Sequence, residues 1–305
     1  MKIEMQTVYH YTSLETLFKL LDGVKDDNFI IYATRISELN DTSEFYLGFK
    51  NLWNYLPSIE KELNICEDSY KLSQLVEEDG TTGEKAFPQK IVDNLLKSKH
   101  TPFVVSFTNN KDFLPMWNTY ANNGNGVSLG FQIQLDINEN KNGRNSKRDL
   151  MSYIPDYPFS LKVSYKDVSN NIVIRRCARL LYSQYYDIVR KCTDEKEILN
   201  KQLDFIERIG VALAALIKHP SYSYERESRL YCIEQNKDKI KFRSNAKGNI
   251  IPYVEVEIPT SYFKRIVIGP CRDMSSIEDI IRLRLNQIGL KHVRIEKSKI
   301  PYREI

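Results

Sequence analysis

The chain has 305 residues, of which 42% are apolar and 28% are charged, with only 12 glycines and 11 prolines. This composition is typical of a folded globular protein, and it excludes collagen-like, low-complexity and disordered classes. The 44 basic and 40 acidic side chains leave a formal net charge of +4, close to neutral at this length, so a polyanion would have to bind a local patch.

The first half of the chain alternates short β-type and helical patterns. Its predicted elements are a strand at Thr7–His10, a helix capped by Ser13 and ended by Gly23, a strand at Phe29–Ala33, a polar loop at Thr34–Asp41, a helix from Thr42, a helical insertion over residues 60–100 broken by a turn at Asp79–Gly83, a strand at Phe103–Phe107, a short helix at Asp112–Ala121 and a strand at Val127–Ile133. We expect no active-site chemistry in the insertion.

The second half is first helical and then rich in β-type patterns. Its predicted elements are a loop at 136–149, a strand at Leu161–Tyr165, a helical pair over roughly 167–192 and 194–218, strands at Ser228–Glu234, Ile251–Ile258 and Arg265–Gly269, a lysine-rich hairpin at Lys237–Lys247, a helix at Met274–Ile288 and a strand at His292–Ile295. Because no repeat or linker interrupts the pattern, the sequence predicts one α+β domain over 1–305, with helical insertions at about 42–100 and 167–218.

Membrane, disulfide and metal classes are not favoured. The longest apolar run, Ile209–Ile217, is far shorter than the roughly 20 residues that a membrane-spanning helix needs. The first ten residues hold no apolar stretch of signal-peptide length, so we expect a cytoplasmic protein without membrane contact. Five scattered cysteines and four unpaired histidines predict neither a disulfide framework nor a metal site.

The first polar cluster, Tyr9–Ser13, lies where a predicted strand passes into a helix. His10 offers a hydrogen-bond donor and acceptor beside the free amides of the helix start, which suits a ribose or a phosphate. Tyr11, Thr12 and Ser13 would complete this cradle. The alternative is that His10 bonds to backbone and Ser13 only caps the helix, and the residues alone leave both open.

The second cluster, Tyr32–Asp41, follows the second strand. The ring of Tyr32 and the guanidinium of Arg35 would suit a cationic aromatic ring attached to a pyrophosphate, since the ring face attracts the cation and arginine forks onto phosphate oxygens. A half-buried tyrosine beside an Arg35 ion pair with Glu38 or Asp41 is the simpler interpretation of the same residues.

The third cluster is Tyr224–Arg229. An extended backbone would place Glu225 and Glu227 on one side, because side chains alternate along a strand. Two neighbouring carboxylates shift each other's pKa apart, so that one can orient a hydroxyl while the other accepts a proton. Alternating charge on an exposed edge strand gives the same pattern.

Together these clusters resemble the bacterial family called domain of unknown function 2971. The resemblance rests on five segments, in order Tyr9–Ser13, Thr34–Asp41, Ser106–Phe107 with Trp117, Gly126–Phe131 and Glu225–Leu230. It runs from residue 8 to about residue 270. The family in turn is similar to the ADP-ribosyltransferase superfamily, which implies an α+β fold with a split β-sheet that grips NAD, decorated here by helical insertions.

The superfamily resemblance implies a role for each site residue. His10 with Tyr11, Thr12 and Ser13 resembles the first-strand motif that holds a ribose. Tyr32 resembles the stacking tyrosine, with Tyr46 as a second aromatic, and Ser106 stands in an alternative middle motif. Glu225 and Glu227 resemble the Glu-x-Glu pair, in which the second carboxylate is catalytic. Arg35 would neutralise the pyrophosphate.

The implied activity is transfer of ADP-ribose from NAD to a protein or nucleic-acid acceptor, in a toxin or antiviral effector with a neutralising partner protein. Two other functions are open. One is a non-catalytic module that binds a nucleotide or ADP-ribose, which would not depend on Glu227. The other is a metal-dependent nuclease using Glu38, Asp41, Glu225 and Glu227. The hairpin at Lys237–Lys247 is either solvated or a nucleic-acid contact.

Overall fold

The computed structural model describes residues 5–39, 44–75, 77–78, 85–86, 102–134, 159–206, 215–232, 234, 236–244, 248–271 and 273–301. Within them the fold is mixed α+β. The strands are β1 Met5–Ser13, β2 Asn28–Arg35, β3 Glu77–Glu78, β4 Lys85–Ala86, β5 Phe103–Thr108, β6 Gly126–Gln134, β7 Phe159–Lys162, β8 Glu227–Cys232, β9 Lys241–Ser244, β10 Ile250–Pro259, β11 Phe263–Ile268 and β12 Arg294–Lys297. The α-helices are α1 Leu14–Asp22, α2 Glu44–Glu62, α3 Leu114–Tyr120, α4 Ile172–Val189, α5 Glu195–Phe205 and α6 Met274–Gln287.

Ten of the described strands form one mixed sheet, in the order β12-β11-β6-β1-β5-β2-β10-β9, with β8 and β7 branching from β5. Only β11 and β12 run parallel among the pairs of this sheet, and α6 connects them. The short strands β3 and β4 pair with each other.

Strand β5 is the point at which the sheet divides. It pairs with β8 along its whole length, from Phe103 to Thr108. It meets β1 only at Thr108 and β2 only at Phe103 and Val104. Since a strand has two edges, β1 and β2 share one edge of β5 and leave residues 105–107 between them without a strand partner on that side.

Two large apolar cores flank this division. One core packs β1, β6 and β11 against β2 and β10, with helices α1 and α6 over it, and includes the fully buried Phe29, Phe131 and Phe263. The other packs helices α2, α4 and α5 together around Tyr182. In that helical core, the buried carboxylate of Glu60 accepts a hydrogen bond of 2.6 Å from the Tyr182 hydroxyl.

Most predicted elements are confirmed, and α1 illustrates why. The Ser13 hydroxyl accepts a hydrogen bond of 3.1 Å from the amide of Thr16, and Gly23 follows the last turn, as predicted from the capping residues. The strand pattern Phe29–Ala33 lies inside β2, and the pattern Met274–Ile288 corresponds to α6.

Two helical predictions are wrong in the described segments. Residues 68–74 form 3₁₀ turns instead of a continuous helix, and β3 and β4 follow them. Residues 215–218 are not helical, because the Ser164 amide donates to the Leu216 carbonyl and the Lys218 amide donates to the Ser164 carbonyl, at 2.6 and 2.9 Å. The strand predicted at Leu161–Tyr165 lies at Phe159–Lys162. The turn at Asp79–Gly83 and the loop at 136–149 lie outside the described residues.

Candidate active site

A cavity of about 110 Å³ lies where β1, β5 and β8 meet, beside the division of the sheet. Its lining includes His10, Ser106, Tyr120, Lys218, Glu225 and Glu227. An engineered cavity of about 150 Å³ is known to hold a benzene ring, so this one has the size of a single small ring or a few waters. A complete dinucleotide is too large for it.

The deepest part of the lining is an arginine–carboxylate pair. Arg229 is 1% exposed, and its Nε donates to Glu227 Oε1 at 2.7 Å while its second terminal nitrogen donates to Glu227 Oε2 at 3.1 Å. The remaining terminal nitrogen donates to the Ala215 carbonyl at 2.6 Å, and the same guanidinium forms an ion pair with Glu44 from α2. This fork fixes both oxygens of Glu227.

Lys218 links the carboxylate of Glu225 to that of Glu227. Its ammonium donates to Glu225 at 2.7 Å and to Glu227 at 3.1 Å, and lies 3.7 Å from Glu44. The ring of Tyr222 lies below it at 4.8 Å. The other oxygen of Glu225 accepts a hydrogen bond of 2.8 Å from Tyr120 of α3. Three carboxylates therefore surround two cations, a charge of −1 when all are ionised.

The pKa values follow from this arrangement. Burial alone would raise the pKa of Glu227, but Arg229 and Lys218 lower it to about 2. Burial also opposes the charge of Lys218, yet Glu227, Glu44 and Glu225 raise its pKa above the ordinary value. For Glu44 burial outweighs the two cations, and its pKa is raised. Glu227 is thus ionised at neutral pH.

His10 faces the cavity from β1 at the gap in the sheet. Its Nδ1 lies 2.9 Å from the Ser106 carbonyl, which can only accept, so Nδ1 carries the proton. Burial lowers the pKa of His10, and the nearby Arg243 lowers it further, whereas the bond to Ser106 raises it. The neutral imidazole therefore keeps Nε2 as a hydrogen-bond acceptor.

The two carboxylates converge for a different reason from the one predicted. Glu225 ends a 3₁₀ helix at Pro220–Glu225, and Glu227 begins β8. Arg226 between them has a left-handed backbone with φ of 46°. This turn, rather than an extended strand with alternating side chains, brings both carboxylates to Lys218, so the predicted geometry is wrong and the predicted proximity is confirmed.

The structure brings five of the predicted residues to the cavity, namely His10, Tyr11, Ser106, Glu225 and Glu227. Tyr11 is held away from ligand chemistry, because its hydroxyl donates to the Asn110 carbonyl at 3.0 Å and accepts from the Phe113 amide at 3.1 Å. Ser106 also hydrogen-bonds to Glu227 and helps lower its pKa.

The other five predicted residues do not line this cavity. Thr12 is buried in β1, Ser13 caps α1, and Tyr46 packs against the helical core. Tyr32 lies beside Tyr253, with ring centroids 4.9 Å apart. Arg35 ends β2 opposite Phe103.

The sequence interpretation missed the cations. Lys218 and Glu44 gave no local signal, because Lys218 only follows an apolar run seven residues before Glu225, and Glu44 belongs to α2, far away in the chain. Arg229 did give a local signal, since it follows Glu227 by two residues on the same strand, and side chains two residues apart on a strand lie on the same face. Tyr120 lies on the predicted short helix but carries no motif. Among the described residues, no cluster of three or more His, Cys, Asp or Glu side chains suits a metal ion.

A family model with the description "Protein of unknown function (DUF2971)" matches residues 116–230. This match supports the family resemblance over the middle of the chain, including Tyr120, Lys218, Glu225, Glu227 and Arg229, and it leaves His10 and Tyr32 outside. No curated protein and no solved structure matches the chain. In the described part of the chain, no helix has both the length and the apolar character to cross a membrane.

Proposed function

We propose that the chain is an ADP-ribosyltransferase-like enzyme that cleaves the nicotinamide–ribose bond of NAD and transfers ADP-ribose to an acceptor. The observation that supports this proposal best is the meeting of three segments at one cavity. The cavity is lined by His10 of β1, Ser106 of β5 and the pair Glu225 and Glu227, although 217 positions separate His10 from Glu227.

The charge of the cavity favours this chemistry. Breaking the bond sends the shared electron pair to nicotinamide, which leaves as a neutral molecule, and develops positive charge on the ribose. A cluster of charge −1 in a buried site stabilises such a centre, and Glu227, held ionised, does so without a proton transfer. The acceptor then forms its bond to the ribose and loses its proton.

The size of the cavity fits one end of the dinucleotide. About 110 Å³ suits the nicotinamide ring or the ribose beside it, while the remainder of NAD would lie outside. His10 Nε2, as an acceptor, would hold a ribose hydroxyl, and most of the rate enhancement would come from positioning. The acceptor is a protein or a nucleic acid, and a toxin or antiviral effector with a neutralising partner is the role that the superfamily resemblance favours.

A metal-dependent nuclease has less support. Two of its proposed ligands, Glu225 and Glu227, already bind Lys218 and Arg229 at 2.7 Å each, so a cation would have to displace them. Asp41, another proposed ligand, lies outside the described residues. A non-catalytic binding module is the second candidate, because Arg229 and Lys218 already satisfy Glu227 structurally.

Nicotinamide release from NAD tests the proposal. We expect Glu227→Gln to reduce the rate by about a hundredfold or more while the protein remains folded, since one electrostatic contact to a developing charge is removed. Glu257→Gln, on the exposed side of β10, is the matched control and should retain the full rate. Full turnover by Glu227→Gln would refute the enzymatic role and leave the binding module.

A further inference from the structure

We propose that Arg243, together with Thr34 and the rings of Tyr32 and Tyr253, binds a phosphate group of a nucleotide. The identity of the ligand as a nucleotide rests on the proposed function. The sequence had assigned the phosphate to Arg35. The structure instead places Arg243 of β9 beside Tyr32, on the half-buried face of the paired strands β2, β10 and β9.

No described side chain supplies a counter-charge to Arg243. Its guanidinium lies 5.8 Å from the centre of the Tyr32 ring and 5.6 Å from that of Tyr253, and one terminal nitrogen donates to the Thr34 hydroxyl at 2.9 Å. Among the described residues, no carboxylate lies within ion-pairing distance of it. Burial lowers the pKa of Arg243, and among the described residues it is the two tyrosines that raise it. A half-buried arginine in this state suits an anion.

The neighbouring cation is neutralised, which sets Arg243 apart. Lys241 lies two residues earlier on β9 and shares a face with Arg243. Its ammonium forms an ion pair of 2.7 Å with Glu255. Lys239 in turn lies 3.9 Å from Glu234. Arg243 is the one guanidinium in the described part of the hairpin, and a single planar guanidinium without a carboxylate partner suits one phosphate group.

The position of Arg243 connects this surface with the cavity. Thr34, which it contacts, pairs with Val104 on β5, and Ser106, which holds His10, lies two residues further along that strand. Two residues of strand span about 7 Å. The charge of Arg243 reaches His10, whose pKa it lowers. A nucleotide with one ring or ribose in the cavity would therefore bring its phosphates to this fork.

Calorimetric titration with ADP tests the inference. We expect Arg243→Gln to weaken ADP binding by about 10- to 100-fold, the loss typical of a charge-assisted hydrogen bond. Lys241→Gln, the matched control on the same strand, should change the affinity less than twofold. Adenosine should bind the wild type more weakly than ADP does. It should bind the wild type and Arg243→Gln with equal affinity. Arg35→Gln should retain ADP affinity, although the sequence interpretation predicts a loss there.

Several outcomes would overturn the inference. One is that the wild type does not bind millimolar ADP, and another is that folded Arg243→Gln binds ADP with unchanged affinity. A third is that ADP affinity is lost only in Arg35→Gln. The last is that a short oligoribonucleotide binds in an Arg243-dependent way while ADP does not bind. Thermal unfolding of each variant shows whether it is folded, and Arg243→Lys, which keeps the charge, should recover part of the affinity. ADP binding through Arg243 without nicotinamide release would support this inference and refute the proposed enzymatic activity.

Discussion

Replacing Lys218 by methionine should destabilise the protein far more than replacing Glu44 by glutamine. Both side chains belong to the same buried cluster, with Lys218 7% exposed and Glu44 3% exposed. The cluster holds three carboxylates and two cations, so loss of Lys218 changes its charge from −1 to −2, while loss of the Glu44 charge makes it neutral. The two substitutions therefore test the charge balance in opposite directions.

The magnitudes follow from the contacts. Without Lys218, Glu225 and Glu227 lose partners at 2.7 and 3.1 Å, and Arg229, which pairs with Glu227 and Glu44, is the remaining cation of the cluster. Removing one partner of a buried ion pair costs about 3–5 kcal/mol in the free energy of unfolding. Burial raises the pKa of Glu44, so its negative charge gains less from the two cations than that of Glu227 does, and Glu44→Gln, which keeps a polar side chain of the same shape, should cost about 1 kcal/mol or less.

Urea unfolding at neutral pH, followed by circular dichroism, measures both values on the same scale. Lys241→Met, which removes a half-exposed surface lysine paired with Glu255, is the control and should change the free energy of unfolding by about 1 kcal/mol or less. A Lys218→Met protein as stable as Glu44→Gln, or a larger loss in Glu44→Gln, would refute the charge balance that we assign to the cluster.

Two further predictions concern the same cluster. Tyr120→Phe removes the 2.8 Å hydrogen bond to Glu225 and should lower the free energy of unfolding by about 1.5–3 kcal/mol in urea unfolding, whereas an unchanged value would mean that the bond contributes nothing. Because the pKa of Glu227 is lowered to about 2, its stabilisation is complete above its ordinary pKa of about 4.5 and is lost as the pH falls from there towards 2. Between pH 6 and pH 2, the free energy of unfolding of the wild type should therefore fall by about 3 kcal/mol more than that of Glu227→Gln. Parallel profiles of unfolding free energy against pH would contradict this.

The local elements were predictable because their signals lie within a few residues. Ser13 and Gly23 bound α1, and the run Phe29–Ala33 marks β2 by its apolar, β-branched composition. The helix predicted through residue 218 failed for a non-local reason. The backbone of Ser164 hydrogen-bonds to that of Leu216 and Lys218, more than 50 positions away in the chain. No pattern near residue 218 indicates that contact.

The candidate site divides in the same way. Glu225, Glu227 and His10 could be found because they stand in short polar motifs at the ends of strands. Lys218 and Arg243 could not, since Lys218 follows an apolar run and Arg243 lies in a lysine-rich hairpin whose sequence favours a solvated surface. Their roles depend on which carboxylate each one meets. Glu255 neutralises Lys241, and no described carboxylate does the same for Arg243, a difference that only the pairing of β9 with β10 reveals.

The division of the sheet explains why these groups meet at all. If β1 or β2 paired with β5 along its whole length, the edge of β5 at residues 105–107 would be covered, and the Ser106 carbonyl would bond to that strand instead of to His10. The gap exposes that carbonyl to His10, while β8 on the opposite edge delivers Glu227 beside Thr108. The left-handed turn at Arg226 then adds Glu225. A cavity with a neutral imidazole on one side and a fixed anion on the other is thus a direct consequence of how β5 is shared.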